Sequence, residues 1–297
     1  MYLGRTEPLG PHRDAVRQIL RTGGNEQLFD QSRFSLWLVA HNRLQALQVL
    51  LREEPEPEQM TWLNKLNIDS VPLHIFADIQ RMTGLAAAAK KLTLGSEIIG
   101  DTPWEKVEQA RKLAQAIQDF LTVLESWTTA TNDAWRPKAI DPQADPQVWK
   151  MDDNSNLPTP QFVCPRLFNF HDIWLAYNWN SHAAGQIVLR ESLIDIINYI
   201  AELEMQQPDP VDMERIQAEQ DAVHRLSGTL IRSFPQLLGF VYGDTREPYF
   251  LQQCKMAGRF FALFSMSVVQ WARFTSPEHK QTASEVIQWI HSSHSLG

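Results

Sequence analysis

Hydrophobic positions recur with a helical period along most of this chain. Between Trp104 and Trp127, apolar residues follow one another mostly at spacings of three or four, which places them on one face of an amphipathic helix. Comparable patterns predict helices over residues 12–21, 32–51, 70–91, 167–200, 209–232, 250–274 and 276–291. No period-two alternation is long enough to predict a sheet. We therefore predict an all-α fold of about eight to nine helices, packed as one large domain over residues 1–297.

Local sequence signals place several helix boundaries. Thr102, Pro103 and Glu105 match a capping box, in which Thr precedes the helix and Glu follows three residues later. Asp209 precedes a proline at the start of a later helix, and we expect that helix to end before Pro235 because proline removes a backbone donor. The very apolar segment 250–274 is expected to be the central buried helix.

Residues 129–165 form a Pro-rich segment between two predicted helices. Its prolines are Pro137, Pro142, Pro146, Pro158, Pro160 and Pro165. A segment of this length without helical periodicity is typical of a linker or a functional flap. Trp135 and Trp149 favour an internal loop or flap that packs on the domain.

The longest apolar stretch, residues 167–200, carries unexpected polar residues in its first half. Structural pins, a ligand pocket and catalytic residues are all compatible with them, because buried polar groups need partners of some kind. We therefore treat the polar and aromatic side chains of this stretch as candidates for a ligand pocket and assign no catalytic residue. The candidates are Asp172, Trp174, Asn178, Trp179, Asn180, His182, Gln186 and Arg190. Taken singly, each has a structural interpretation: Asp172 as a helix cap, His182 as a core residue, Arg190 with Glu191 as a solvated pair.

Charge and cysteine content exclude several functions. The formal net charge is −8 and there is no basic run, so direct nucleic-acid binding by this chain is not expected. Cys164 and Cys254 are the only cysteines, too few for a disulfide framework or a multi-cysteine zinc site, which favours an intracellular location in nucleus or cytoplasm. The apolar run 260–269 is far shorter than the roughly 20 residues of a membrane span, so no membrane association is expected.

Known catalytic motifs are missing from the sequence. There is no Gly-rich phosphate loop, no nucleophile elbow and no zinc-protease helix motif. Asp152 and Asp153 are the one adjacent pair of aspartates, and they lie in the Pro-rich segment rather than on a predicted helix. We therefore predict no cofactor and no metal site. Only an isoprenoid-cyclase function would require magnesium (Mg2+), held in an atypical arrangement.

Several stretches together resemble a known family. They are FHDIWLAYNWNSHAAGQIVLRESL (170–193), LIRSFPQLLGF (230–240), PYFLQQCKMAGRFFAL (248–263) with WARF (271–274), and, upstream, residues 10–30 and 35–51. In this order they resemble the C-terminal regulatory region of fungal binuclear-zinc-cluster transcription factors, the fungal-specific transcription factor domain. The resemblance covers nearly the whole chain and depends on apolar spacing, a W-N pair and an S-x-P-x-x-L-G turn.

The resemblance implies an all-helical ligand-responsive or inhibitory domain that follows a DNA-binding zinc cluster. This chain departs from the pattern, because two cysteines cannot hold two zinc ions. DNA binding therefore does not carry over. Relatives commonly have Arg shortly after the W-N pair, where this chain has Ala183 and Gln186. If this chain has a function that its relatives lack, we expect the site of that function beside Ala183 and Gln186.

Two functional hypotheses follow. In the first, the chain is a regulator-like protein without its own DNA-binding module, acting through a small apolar ligand or a protein partner, with self-association left open. In the second, the helical domain serves as a lyase or cyclase of fungal specialised metabolism. Asp172, Asn178, Trp179, Asn180 and His182 would then floor an aromatic pocket for an apolar, isoprenoid-like substrate.

Overall fold

Helices dominate the computed structural model, which describes residues 10–22, 31–59, 61, 71–94, 102–130, 136–141, 167–238 and 250–294. The helices are α1 (Gly10–Thr22), α2 (Gln31–Leu51), α3 (Val71–Thr93), α4 (Pro103–Ala130), α5 (Ile173–Leu203), α6 (Pro210–Leu237), α7 (Phe250–Trp271) and α8 (Pro277–His294). The predicted all-α fold is confirmed.

A small sheet accompanies the helices. Strand β1 (Lys138–Ile140) pairs with strand β2 (Leu167–Asn169) in antiparallel register. The helix predicted to begin at residue 167 was therefore wrong at its start, and the sheet itself was not predicted. Strands of three residues are too short to show a period-two pattern. Residues 131–135 and 142–165 of the predicted Pro-rich segment, and with them both of its tryptophans, lie outside the described residues.

Helix α5 begins only after a capping residue. Asp172 has an extended backbone, and its Oδ1 atom accepts a hydrogen bond of 2.7 Å from the Leu175 backbone N–H. This bond satisfies one of the four amide groups that have no partner inside the first turn. The structural interpretation of Asp172 as a cap is confirmed.

The chain divides into two compact units, residues 1–87 and residues 88–297, with the boundary inside α3. In the first unit, α1 packs on α2. The Gln45 side chain of α2 donates a buried hydrogen bond of 2.9 Å to the Phe76 carbonyl of α3. The prediction of one domain over the whole chain stays a prediction.

In the second unit, α5 is the central element and contacts α4, α6 and α7. Almost every residue from Leu175 to Ile197 is buried. The expectation that the apolar segment 250–274 would be the central helix was wrong, because α7 exposes Phe260 and Trp271. A helix that is apolar on most sides can still lie at the edge of a bundle, since the sequence alone does not show which neighbours cover it.

Two predicted helix starts are confirmed. The Thr102 backbone N–H donates to Glu105 Oε2 over 2.7 Å and the Glu105 N–H donates to Thr102 Oγ1 over 3.3 Å, which completes the capping box of α4. Asp209 caps α6 by accepting a hydrogen bond of 2.8 Å from the Asp212 backbone N–H. These short-range signals are therefore sufficient to fix where α4 and α6 begin.

The predicted end of α6 was wrong, because the helix continues through Pro235 to Leu237. Pro235 lies in the last turn, so the backbone hydrogen bond that it cannot donate is lost close to the helix end, with only two helical residues after it. Phe234 and Leu237 on either side are fully buried. Their burial, worth roughly 2 kcal/mol for each side chain, offsets the loss.

Helix α7 approaches the end of α6 most closely at Gly258. A Cβ atom at this position would lie 1.7 Å from the Leu237 carbonyl oxygen. The contact is with backbone rather than with a flexible side chain, so a rotamer change cannot relieve it. Only glycine allows this approach of the two helices.

We predict that Gly258→Ala destabilises the second unit by about 3 kcal/mol or prevents it from folding, because α7 has to move away from α6. Chemical denaturation measures the loss. Gly84→Ala is the matched control: its Cβ would lie 3.9 Å from Pro55 Cδ, an ordinary contact. That variant should gain up to about 1 kcal/mol from helix propensity. Equal stability of the two variants would contradict the close approach.

The first unit contains a pH-sensitive residue. Burial lowers the pKa of His41 from 6.5 to about 4, so below pH 6.5 the unfolded chain binds a proton that the folded chain does not. As the pH is lowered, the free energy of unfolding should therefore decrease, by about 2 kcal/mol between pH 7.5 and pH 5. Denaturation of the native protein and of His41→Leu at both pH values tests this. The difference between the two proteins should change with pH, and a constant difference would refute the assignment.

Candidate functional site

Five of the eight predicted site residues share one ridge of α5. Trp174, Asn178, His182, Gln186 and Arg190 recur every four residues, and residues at this spacing lie above one another on a helix. The last four are buried, with His182 only 1% exposed, whereas Trp174 is 38% exposed. We call Asn178, His182, Gln186 and Arg190 the polar stripe.

The middle of the polar stripe is a hydrogen-bonded pair. Gln186 Nε2 lies 3.2 Å from His182 Nδ1. The amide nitrogen can only donate, so His182 Nδ1 accepts and the neutral ring carries its proton on Nε2. Trp179 lies edge-on against this ring, with ring centroids 6.2 Å apart. His182 is therefore an oriented core histidine between an amide and an indole.

Arg190 ends the stripe in a buried ion-pair cluster. Its guanidinium contacts Glu219 of α6 at 2.5 Å and Glu125 of α4 at 2.7 Å. The Arg190 side chain is 6% exposed and that of Glu219 is 12% exposed. The interpretation of Arg190 and Glu191 as a solvated pair was therefore wrong. One cation instead joins three helices.

Glu191 makes a separate connection. Its carboxylate accepts a hydrogen bond of 2.5 Å from the Arg273 backbone N–H, beyond the end of α7. The Arg273 guanidinium also contacts Asp195 at 2.6 Å. Adjacent residues of α5 therefore hold different neighbours, because successive side chains point about 100° apart around a helix.

Asn180 lies on another side of α5 from the polar stripe. Its Oδ1 atom accepts a hydrogen bond of 2.7 Å from Ser233 Oγ of α6, which makes it a structural pin between the two helices. Asn178, two residues earlier, points about 200° away around the axis. Asp172 is exposed and caps the helix. The structure therefore does not bring Asp172, Asn178 and Asn180 together on the floor of one pocket.

Ala183 and Gln186 are both buried. The Gln186 amide is hydrogen-bonded to His182 on the same helix, so the polar group at position 186 has a partner within α5. In the structure, the two positions that set this chain apart from its expected relatives are part of the packed core.

A glutamine missed by the sequence interpretation fixes the start of α5. Gln236 Nε2 donates to the Phe170 carbonyl, and the Phe170 N–H donates to Gln236 Oε1, both over 2.7 Å. The buried side chain therefore pairs with backbone as a neighbouring strand would. A single glutamine among the apolar residues FPQLL was the only signal for this role.

The stretches on which the family resemblance depends contact one another. Phe170 and Asn180 of the first stretch are bonded to Gln236 and Ser233 of the second. Leu237 of the second stretch meets Gly258 of the third. Residues that were quoted for their sequence pattern alone thus form one connected part of the second unit.

Two further features are absent from the described part of the chain. No group of three or more His, Cys, Asp or Glu side chains is placed to hold a metal ion there. No helix within the described ranges is long and apolar enough to cross a membrane. Asp152 and Asp153 lie outside these residues.

Comparisons of the chain with protein-family models, with curated proteins and with solved structures found no match.

We predict that Arg190→Met destabilises the second unit by about 3–5 kcal/mol, because it leaves the buried Glu219 carboxylate without its cation. Urea denaturation measures the effect. Glu125→Gln is the matched control: the Glu125 side chain is 64% exposed, so its loss should cost less than about 1 kcal/mol. In the double variant Arg190→Met/Glu219→Leu, part of the stability should return. Equal losses in the two single variants would disprove the buried pair.

Proposed function

We propose that this chain is a transcription-factor-like regulatory protein without a DNA-binding module of its own, acting through a small ligand or a protein partner. The observation that supports it is the contact among the three stretches on which the resemblance depends. Asn180 of the W-N pair is bonded to Ser233 of the S-x-P-x-x-L-G turn, and Gly258 of the third stretch seats against Leu237. Motifs that fix a shared fold are expected to contact one another in this way.

The competing function, a helical cyclase, is less well supported. Such an enzyme needs carboxylates that converge on a cation and a diphosphate. The polar stripe instead contains two amides, a histidine and an arginine, and the arginine is already neutralised by Glu125 and Glu219. Asp172 is engaged as a helix cap. The polar groups of α5 are thus used to hold the helix in place.

The net charge of the chain favours contact with DNA through a partner protein rather than directly. The chain carries a formal net charge of −8, and an acidic surface repels phosphate. A regulator of this kind would reach DNA through a protein partner, in the nucleus or after transfer from the cytoplasm. The partner would supply the basic surface that this chain lacks.

We predict that the full chain, fused to a heterologous DNA-binding module in a fungal cell, changes transcription of a reporter relative to the module alone. The physical reason is that a regulatory domain brought to a promoter acts there through its ligand or partner. Reporter activity, normalised to the amount of fusion protein, measures the change. Activity equal to that of the module alone would contradict the proposal.

A second measurement separates the two functions. Purified protein incubated with isoprenoid diphosphates, with and without Mg2+, should yield no new hydrocarbon when extracts are examined by mass spectrometry. If a product formed, the cyclase function would replace the regulator. Asp172→Ala would then show whether Asp172 has a role beyond capping α5.

A further inference from the structure

A cleft of about 360 Å3 opens where α5 ends and α6 begins, beside α4. Ala114, Ile197, Ile200 and Ala201 provide apolar surface, and three of them are well buried. Charged and amide side chains provide the walls: Arg111, Gln115, Glu204, Gln206, Gln207, Asp209, Asp212 and Arg215. The volume lies within the range of small-molecule sites, which is roughly 300–1,000 Å3.

The rim of the cleft is held in place by backbone geometry. Met205 adopts a left-handed conformation with φ of 53°, which lets the Gln206 N–H donate to the Ala201 carbonyl over 3.0 Å. This pattern ends α5 with a Schellman turn. Asp209 then caps α6. The turn and the cap therefore give the walls a defined position.

The cleft contains two ion pairs that differ in the distance between their charged atoms. Arg111 Nη2 and Glu204 Oε1 lie 2.5 Å apart and neutralise each other. Arg215 lies 4.0 Å from Asp212, which is too far for a hydrogen bond. Its guanidinium is half-buried and makes only this long ion pair with Asp212, with no hydrogen bond in the described part of the chain. Its planar set of N–H donors is suited to a carboxylate.

The remaining charges restrict what can bind. A simple carboxylate would be attracted by Arg215 and repelled by Asp209 and Asp212, and a simple amine would meet the opposite conflict. An α-amino acid zwitterion avoids both, because its ammonium and carboxylate groups are attached to the same carbon and can face Asp212 and Arg215 together. Asp212 and Arg215 are three residues apart on one face of α6, a spacing at which side chains are neighbours.

We propose that this cleft binds a free α-amino acid with an apolar side chain. The ligand carboxylate contacts Arg215, its ammonium contacts Asp212, and its side chain packs on Ile197 and Ile200. The inference rests on the proposed function, for which it names the class of small ligand.

Isothermal titration calorimetry of the full chain with L-norleucine tests the proposal. We expect saturable heat, and binding at least about tenfold weaker for hexanoate, which lacks the ammonium, and for pentylamine, which lacks the carboxylate. Arg215→Gln and Asp212→Asn should each weaken L-norleucine binding by about tenfold or more. Arg225→Gln, on an exposed position of the same helix, should bind as the native protein does.

Three results would overturn the amino-acid site. They are no heat with L-norleucine at concentrations on the order of 10 mM, equal binding of hexanoate, and equal weakening by Arg225→Gln. Circular dichroism of each variant confirms that the fold is retained. The reporter experiment does not depend on which ligand is bound, so failure of this site with an active reporter would reject the ligand class alone. An inactive reporter would reject the regulator itself.

Discussion

The second unit depends on one buried cation. The Arg190 guanidinium leaves water and meets two carboxylates, Glu125 on α4 and Glu219 on α6. Desolvating a charge costs several kcal/mol, and the cost is recovered only when the partners are in place. Helices α5 and α6 therefore have to assemble in one register, and α4 adds a weaker contact through the largely exposed Glu125 side chain. A slip by one residue would rotate Arg190 about 100° away from both acids.

The same reasoning explains why a helix as buried as α5 is rich in polar side chains. Three of them serve different neighbours: Asn180 bonds to α6, Arg190 joins α4 to α6, and Glu191 holds the chain after α7. An apolar side chain in any of these places would add burial but would pack almost equally well in several orientations. The polar contacts are directional, and we infer that they select one arrangement of the bundle.

How well a contact could be predicted from this sequence depends on how far apart its two residues lie along the chain. The starts of α4 and α6 were predictable because Thr102 with Glu105, and Asp209 with Asp212, act within one helical turn. Contacts between residues distant in sequence were not predictable. Arg190 and Glu125 are 65 residues apart, and Gln236 and Phe170 are 66 apart. Helix α6 continues through Pro235 for a related reason, since tertiary burial outweighs a local preference.

The candidate site shows a difference between polar residues in the core and polar residues at the surface. The sequence indicated unexpected polar residues in an apolar helix, but it could not distinguish a ligand pocket from a set of structural pins. In the structure, Gln186 is hydrogen-bonded to His182, and Arg190 is paired with Glu125 and Glu219, so these groups are already engaged by the fold. The cleft at Ile200 lies about 20 Å further along α5 from Gln186. There the helix ends, the charged side chains are partly exposed to water, and Arg215 makes only a long ion pair with Asp212 among the described residues. A polar group inside a packed helix is used by the fold, whereas a polar group at a helix end can be used for binding.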